Sequence, residues 1–527
     1  MLFIVFDKEI FMKKIDWAKR LKHLYTSSVS EVEIVHVPRM NFLMVDGEGD
    51  PNTSKSFGDA IEAFYPLSCT LKSCSCKRRV MSVKMMTVFL AAAVLSFSLS
   101  ACSGDKTPSD STTSVGTWKN AVLLIDDARS PVIAADGDGN TIAVWQQSDG
   151  LYSARFDRNV GWGTPIKIAD REREAVFLTD VHLAVNAKGD AIAAWVHIEG
   201  VEEFIQTARY TVGSGWSAPQ QLTPPNMVFT LDVALDSSSN AFIAWEGLST
   251  NGRNIVVSHA SPGSGWDSPQ TFGVDNRFAQ YPGIAVDGAG RAFVVWVEGE
   301  FYPNNVYVNR YSPGTGWSSP QQIATNVGPA TRTNIAFDDS GNAMALWNQS
   351  DSSGHYHIYS CRYVAGSGWE SSVLVDGNAL DSTEPALAAD ERGMFRAVWV
   401  QFTGTGKDVY TSRHTAGSGW STPRIIGTGG TAVSPRVTTD GSGNAFATWH
   451  QYDPGDVYPG DANVYANHFT VGLDWDKQRQ LKNAPGGADA PGLAVDSRGR
   501  ATVIWSQSVG FITPGVIKYG IYAARFQ

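Results

Sequence analysis

Apolar residues recur along this chain in short runs that end on tryptophan, and the runs are evenly spaced. They read TIAVW, AIAAW, AFIAW, AFVVW, AMALW, FRAVW, AFATW and ATVIW. Their tryptophans are Trp145, Trp195, Trp245, Trp296, Trp347, Trp399, Trp449 and Trp505, 50 to 56 residues apart. A second series opens on a glycine-flanked tryptophan, as in GSGWSAPQQL, at Trp118, Trp162, Trp216, Trp266, Trp317, Trp369, Trp420 and Trp475. Each unit predicts four strands. The first has the form P-x-I-A-x-D, as in Pro131 to Asp136, and ends in a turn such as Asp136-Gly-Asp-Gly-Asn140, where Gly and Asn supply positive φ angles. The second is the apolar run. The third alternates apolar and polar positions, as Ile358 to Tyr363 does, the pattern of a half-buried strand. The fourth begins at the glycine-flanked tryptophan. Four antiparallel strands repeated every ~40–50 residues form the blade of a β-propeller.

The ends of the array fix its closure. The chain stops at Ile521–Gln527, the third strand of an eighth unit that lacks its fourth, while Gly116–Leu124 is a fourth strand with no blade before it. Joined, the two complete eight blades and remove the edges of an open array. The fold class expected is therefore all-β: an eight-bladed propeller of four-stranded antiparallel blades over residues 116–527, closed by pairing of its terminal strands. A small α+β fragment and a signal segment precede it. The two series hold sixteen of the 17 tryptophans, which makes them packing residues between sheets rather than sugar-stacking platforms.

The segment before the propeller has a different character. Residues 81–101 carry a positive start at Lys84 and an apolar stretch from Met85 to Ala101, the pattern of a secretory signal. Leu99-Ser100-Ala101-Cys102 resembles a bacterial lipobox, and a Ser/Thr/Asp-rich tether follows over residues 102–115. The resemblance implies lipidation of Cys102 and a protein held at the bacterial cell envelope, with Ser103 pointing to outer-membrane or surface sorting. Met81 is then the expected natural start, with residues 1–80 absent from the mature protein. Within those residues, Lys13 to Tyr25 reads as a basic amphipathic helix and Glu31 to Val45 as strand. Met40 to Lys72, with its DGEGDPN turn, resembles the opening of GyrI-like small-molecule-binding domains. The resemblance covers about residues 12–72, under half of such a domain, so no ligand is carried over.

Charge narrows the partners. From Met85 onward there are 29 Lys+Arg against 42 Asp+Glu, an acidic balance that disfavours phosphate backbones and so nucleic acid. Among cysteines, only Cys361 lies in the repeats, where it reads as a buried thiol; Cys69, Cys74 and Cys76 lack a second ligand pair at zinc spacing. The alternating acids of Asp136 to Asn140 read as turn chemistry rather than a calcium loop. No cofactor or metal is expected.

The turn before each fourth strand, such as Pro262-Gly-Ser-Gly-Trp266, resembles a degenerate Asp-box (BNR) repeat of sialidase-like propellers. That family's catalysis implies an arginine triad, a tyrosine–glutamate pair and an aspartic acid. Here Arg129, Arg277, Arg332 and Arg436 fall in predicted inter-blade loops, and Tyr281 with Glu298 is the nearest pair, but the family's early Arg-Ile-Pro motif is missing. Nucleophile-elbow, zincin and P-loop motifs are absent as well.

The binding residues expected instead lie around one propeller face. Two positions after the core tryptophans stand Gln147, His197, Gly247, Glu298, Gln349, Gln401, Gln451 and Gln507, leading into variable loops such as Glu298–Asn305 and Tyr452–Asn463. The first strands begin differently in each unit, at His182, Asp232, Asn334 and Arg436. Variation on a fixed scaffold is where binding resides. The sequence thus predicts a monomeric, membrane-anchored module that binds a protein or a glycan and is not an enzyme. A sialidase-like glycosidase or lyase using Glu298 or Asp453, and a structural scaffold of an envelope complex, are the alternatives.

Overall fold

Each repeat folds as a four-stranded antiparallel sheet because its residues alternate faces and its turns carry the residues tight turns need. The computed structural model describes residues 4–5, 36–37, 40–43 and 116–527, apart from 171–178, 200–201, 225–227, 250–251, 274–276, 301–303, 326–327, 378–379, 455–461 and 514–515. Blade 1 shows the plan: inner strand Ala128–Ala135, second strand Thr141–Gln147, third strand Gly150–Asp157, then Gly161–Trp162 and Ile166–Asp170 as the outer strand. Blades 2 to 7 repeat this from Thr179, Val228, Phe278, Ala330, Ser382 and Thr431, and blade 8 from Ala488. The outer strand, expected to begin at the Gly-Trp pair, is broken after it. In five blades Pro165, Pro219, Pro269, Pro320 and Pro423 follow there and proline cannot donate to a ladder, while blade 5 breaks at the same place over Glu370–Ser372.

The ring closes as the chain ends require. Val122–Asp126 pairs antiparallel with Val516–Arg525, Val122 opposite Ala523 and Asp126 opposite Gly520. The pairing extends to a Trp118–Phe526 bridge with Thr117 N–H to Gln527 O at 2.7 Å. The eight inner strands lie side by side in sequence order, and that of blade 8 packs against that of blade 1. Single parallel bridges tie blades 3 and 4 (Arg253–Phe278) and blades 6 and 7 (Lys407–Thr431) into shared sheets.

The core lies between blades. Seven tryptophans of the first series are at most 1 % exposed and Trp245 is 5 % exposed. Most of the second series is only half-buried, with Trp118 the buried exception. Its rings pack edge-on against third-strand aromatics, as Trp216 does on Tyr210 at 5.5 Å. Two reach the preceding blade: Trp266 Nε1 donates to Thr207 and Trp420 Nε1 to Ser360. The inner turns work as turn chemistry requires. Asp136 Oδ1 accepts the N–H groups of Asp138 and Asn140, and Oδ2 accepts from Asn140 Nδ2. Cys361 is buried, its Sγ donating to Glu370 O at 3.0 Å, and burial pushes its pKa up to about 12.

Before the propeller, Ile4–Val5, Met40–Leu43 and His36–Val37 form a small three-stranded sheet. The predicted helix Lys13 to Tyr25, the signal segment, Cys102 and the tether lie outside the described residues.

Candidate functional site

Every inner strand breaks register with its neighbour near its start. The shifts fall between Arg129 and Val132, Thr179 and His182, Val228 and Leu231, Gln280 and Gly283, Thr331 and Asn334, Thr383 and Ala386, Val433 and Arg436, and Asp489 and Gly492. A bulge inserts a residue and re-aims the side chains around it. In six blades the inserted residue is non-glycine with positive φ: Ser130, Asp180, Tyr281, Arg332, Glu384 and Ser434, at 50° to 57°. That conformation is uncommon for such residues, and such strain gathers at functional sites.

The bulges create a ring of polar groups at one mouth of the axial channel. Acids of one blade accept N–H groups from the next: Asp180 Oδ2 from Leu231 at 2.8 Å, Asp232 Oδ2 from Ile284 at 2.9 Å, and Glu384 Oε2 from Ser434 at 2.7 Å. Asn334 Nδ2 donates to Pro385 O at 3.0 Å. A cavity of about 720 Å³ opens between the inner strands of blades 1, 2, 7 and 8, lined among others by Arg129, Asp180, His182, Arg436 and Asp489.

Two cations define its chemistry. His182 lies between two carboxylates, Nε2 3.0 Å from Asp180 Oδ1 and Nδ1 3.4 Å from Asp232 Oδ1. Enclosure opposes the imidazolium, but the two acids outweigh it and push the pKa from 6.5 up to about 9. The stability that this proton contributes is therefore complete below about pH 6.5 and is lost as pH rises through about 9. Arg436 differs. It is exposed and lines the cavity, and its side chain has no hydrogen bond or ion pair among the described residues. Enclosure draws its pKa below the usual guanidinium value; Asp232 and Glu384 oppose that, and Arg332 adds to it.

Of the expected binding residues, His182, Asp232, Asn334 and Arg436 are brought together around this mouth. Most of the other ring is not available there. His197, Glu298, Gln349, Gln401, Gln451 and Gln507 are buried, and Gln147 is half-buried. The reason is strand geometry: a residue two positions after a tryptophan points the same way as the tryptophan, into the contact between blades. Trp296 Nε1 donates to Glu298 Oε2 at 3.1 Å, and Trp505 Nε1 to Gln507 Oε1 at 2.9 Å. Buried Glu298 also has Arg277 Nη1 at 3.9 Å. Asp453 accepts from Asn463 Nδ2 and Tyr465 OH. Arg129, Arg332 and Arg436, expected in loops, stand on inner strands. The bulge residues were missed as a set; a following proline marks four of the six, Ser130, Tyr281, Glu384 and Ser434, whereas Asp180 and Arg332 have none.

No family model matches the chain, and no curated protein matches it. Solved structures do. A polysaccharide lyase, the ulvan lyase of a new family, superposes with a TM-score of 0.43 at 10 % identity, over 70 % of this chain and 97 % of that one. The NanB sialidase of Streptococcus pneumoniae gives 0.38 at 9 % identity, over 77 % and 98 %. A protein of unknown function from Dyadobacter fermentans gives 0.38 at 13 % identity, over 57 % and 95 %.

Proposed function

We propose that the propeller is a binding module that takes an anionic glycan at its axial mouth, carried on the bacterial envelope by lipid on Cys102. The observation that supports the ligand reading is Arg436, an exposed guanidinium lining the cavity, with five donors to offer a ligand. That guanidinium is exposed at the mouth and has no side-chain partner among the described residues, and an oxyanion on a sugar supplies one. Arg332, close enough to Arg436 to act on it, and protonated His182 add positive potential. The wide, polar cavity suits a chain of hydroxyl groups rather than an apolar ligand.

Screening the full chain against an array of neutral, carboxylated and sulfated glycans tests this. Binding is expected to anionic members only. Arg436→Ala should weaken it ~10- to 100-fold, since a hydrogen bond to a charged group contributes ~1.5–3 kcal/mol. Affinity should also fall as pH rises through about 9, where His182 loses its proton. Equal affinity of Arg436→Ala and the parent would remove the reading. Lipid anchoring has its own check: Cys102→Ser should move the protein from the detergent-extracted membrane fraction to the soluble one. A variant that stays with the membrane rejects the anchor.

A further inference from the structure

The inner strand is the free edge of every blade, and the phase of its ladder decides which backbone donors face the channel. Each inner turn opens on a bond such as Asp136 N–H to Asn140 O at 2.9 Å or Asp496 N–H to Arg500 O at 3.1 Å. In an antiparallel pair such bonded positions alternate with unbonded ones. The third residue before each turn therefore points its N–H away from the second strand, from Ile133 in blade 1 to Leu493 in blade 8. Blade 3 shows what these donors take. Asp232 Oδ1 accepts Val233 N–H and Oδ2 accepts Ile284 N–H of blade 4, both at 2.9 Å. One carboxylate thus spans two neighbouring inner strands, an oxygen on each.

Blade 8 has the same pair of donors without the acid. Gly492 stands where blade 3 has Asp232, four residues before the turn. Neither Leu493 N–H nor Ile133 N–H of blade 1 has a hydrogen bond among the described residues. A Cβ on Gly492 would lie 3.6 Å from Ile133 N, so the position aims at that donor as Asp232 aims at Ile284. Ile335 and Leu387 repeat the unbonded N–H on the far side of the ring but do not line the cavity, whereas Gly492, Leu493 and Ile133 all do. One blade earlier the same position is Arg436, which also lines the cavity and carries donors only. Arg129 and His182 add positive charge to the lining, Asp180 and Asp489 negative; Asp180 is committed to Leu231 N–H and His182.

We infer that Leu493 N–H and Ile133 N–H form a seat for a ligand carboxylate, one oxygen on each, with Arg436 on the neighbouring strand as its counter-ion. The inference rests on the axial-mouth reading and narrows it: among anionic glycans the seat selects uronic acids over sulfate esters. Asp232 is the template. Its two oxygens lie in one plane and meet one donor from each strand, while a sulfate ester spreads three oxygens around a tetrahedral sulfur and offers no such flat pair. Blade 3 fills its seat from the chain itself, and blade 8, by carrying glycine, leaves the same donors to a ligand.

Amide NMR of the full chain, labelled with nitrogen-15 in leucine and isoleucine, tests it. The signals of Leu493 and Ile133 are assigned by their loss in Leu493→Met and Ile133→Val. A galacturonate trimer should shift both in a saturable way, and its methyl ester should leave them in place. A galactose trimer sulfated at each 6-position should bind more weakly by about tenfold or more. Gly492→Asn puts a neutral acceptor over the seat, in the manner of Asp232, and should weaken the galacturonate trimer by more than about tenfold without adding charge. Should Gly492→Asn fold poorly, the amide shifts of the parent decide. If the trimer binds with both amides unmoved, or binds Gly492→Asn as it binds the parent, the seat is overturned and the anionic reading stands. If both amides move while Arg436→Ala binds as the parent does, the reading built on Arg436 falls and the backbone seat stands. Equal affinity for the sulfated trimer overturns the choice of carboxylate, and a parent that binds neither trimer overturns both readings.

Discussion

A chain beginning at residue 128 should fail to form a stable monomer, while one beginning at residue 116 should melt as the full chain does. Twelve residues separate the two, and they are the outer strand of blade 8. Without them Val516–Arg525 becomes a bare edge, the kind of surface that recruits another chain. Trp118 leaves as well. It packs edge-on to Phe526 at 5.5 Å and to Phe446 of the preceding blade at 6.2 Å, so its loss opens a contact between blades. Removing a buried aromatic side chain costs ~3–5 kcal/mol, and the lost strand pairing adds to it. Size-exclusion chromatography and thermal melting of the two truncations read the effect. A monomeric, cooperatively melting chain from residue 128 would show that the ring does not depend on its fastening.

The closure was legible because it depends on phase along the sequence: a repeat that begins with its last strand and ends with its third has one way to complete itself. The core tryptophans were legible because each ends an apolar run, as at AFVVW and ATVIW. His182, Asp232, Asn334 and Arg436 were legible as positions near the starts of the inner strands. The glutamine ring failed as a surface feature for a reason already present in the sequence. Gln349 lies two residues beyond Trp347, so the alternation that buries the indole buries the amide too. Treating the second strand as emerging into solvent after its tryptophan ignored that period. The bulge residues were hidden more deeply. Arg332 looks like a loop residue in the sequence, because a non-glycine side chain at positive φ has no compositional mark where no proline follows it. What holds them is the neighbouring strand, as Ser434 N–H does for Glu384, and such a cross-blade contact between residues 50 apart is invisible until the ring is built.

Trp296→Ala should be the most damaging single substitution at the heart of blade 4, costing ~3–5 kcal/mol. The side chain is fully buried, stacked 5.8 Å from Tyr307 and 6.0 Å from Phe272, and its indole N–H serves a carboxylate inside the protein. Two effects are therefore lost together and can be separated. Trp296→Phe keeps most of the apolar contact but removes the indole donor to buried Glu298, for which ~1–3 kcal/mol is expected. Glu298→Gln keeps an acceptor at the indole and should be nearly neutral, because glutamine does this work beside Trp347, Trp399, Trp449 and Trp505. Denaturant unfolding of the three variants gives the order Trp296→Ala, then Trp296→Phe, then Glu298→Gln. The order also separates a structural acid from a catalytic one. A general acid replaced by its amide loses turnover with stability intact, whereas a group whose task is to receive an indole N–H tolerates glutamine and reacts to the loss of its donor. If Trp296→Phe proves harmless while Glu298→Gln abolishes hydrolysis of a glycan, the burial of Glu298 has been misread as structure where it served chemistry.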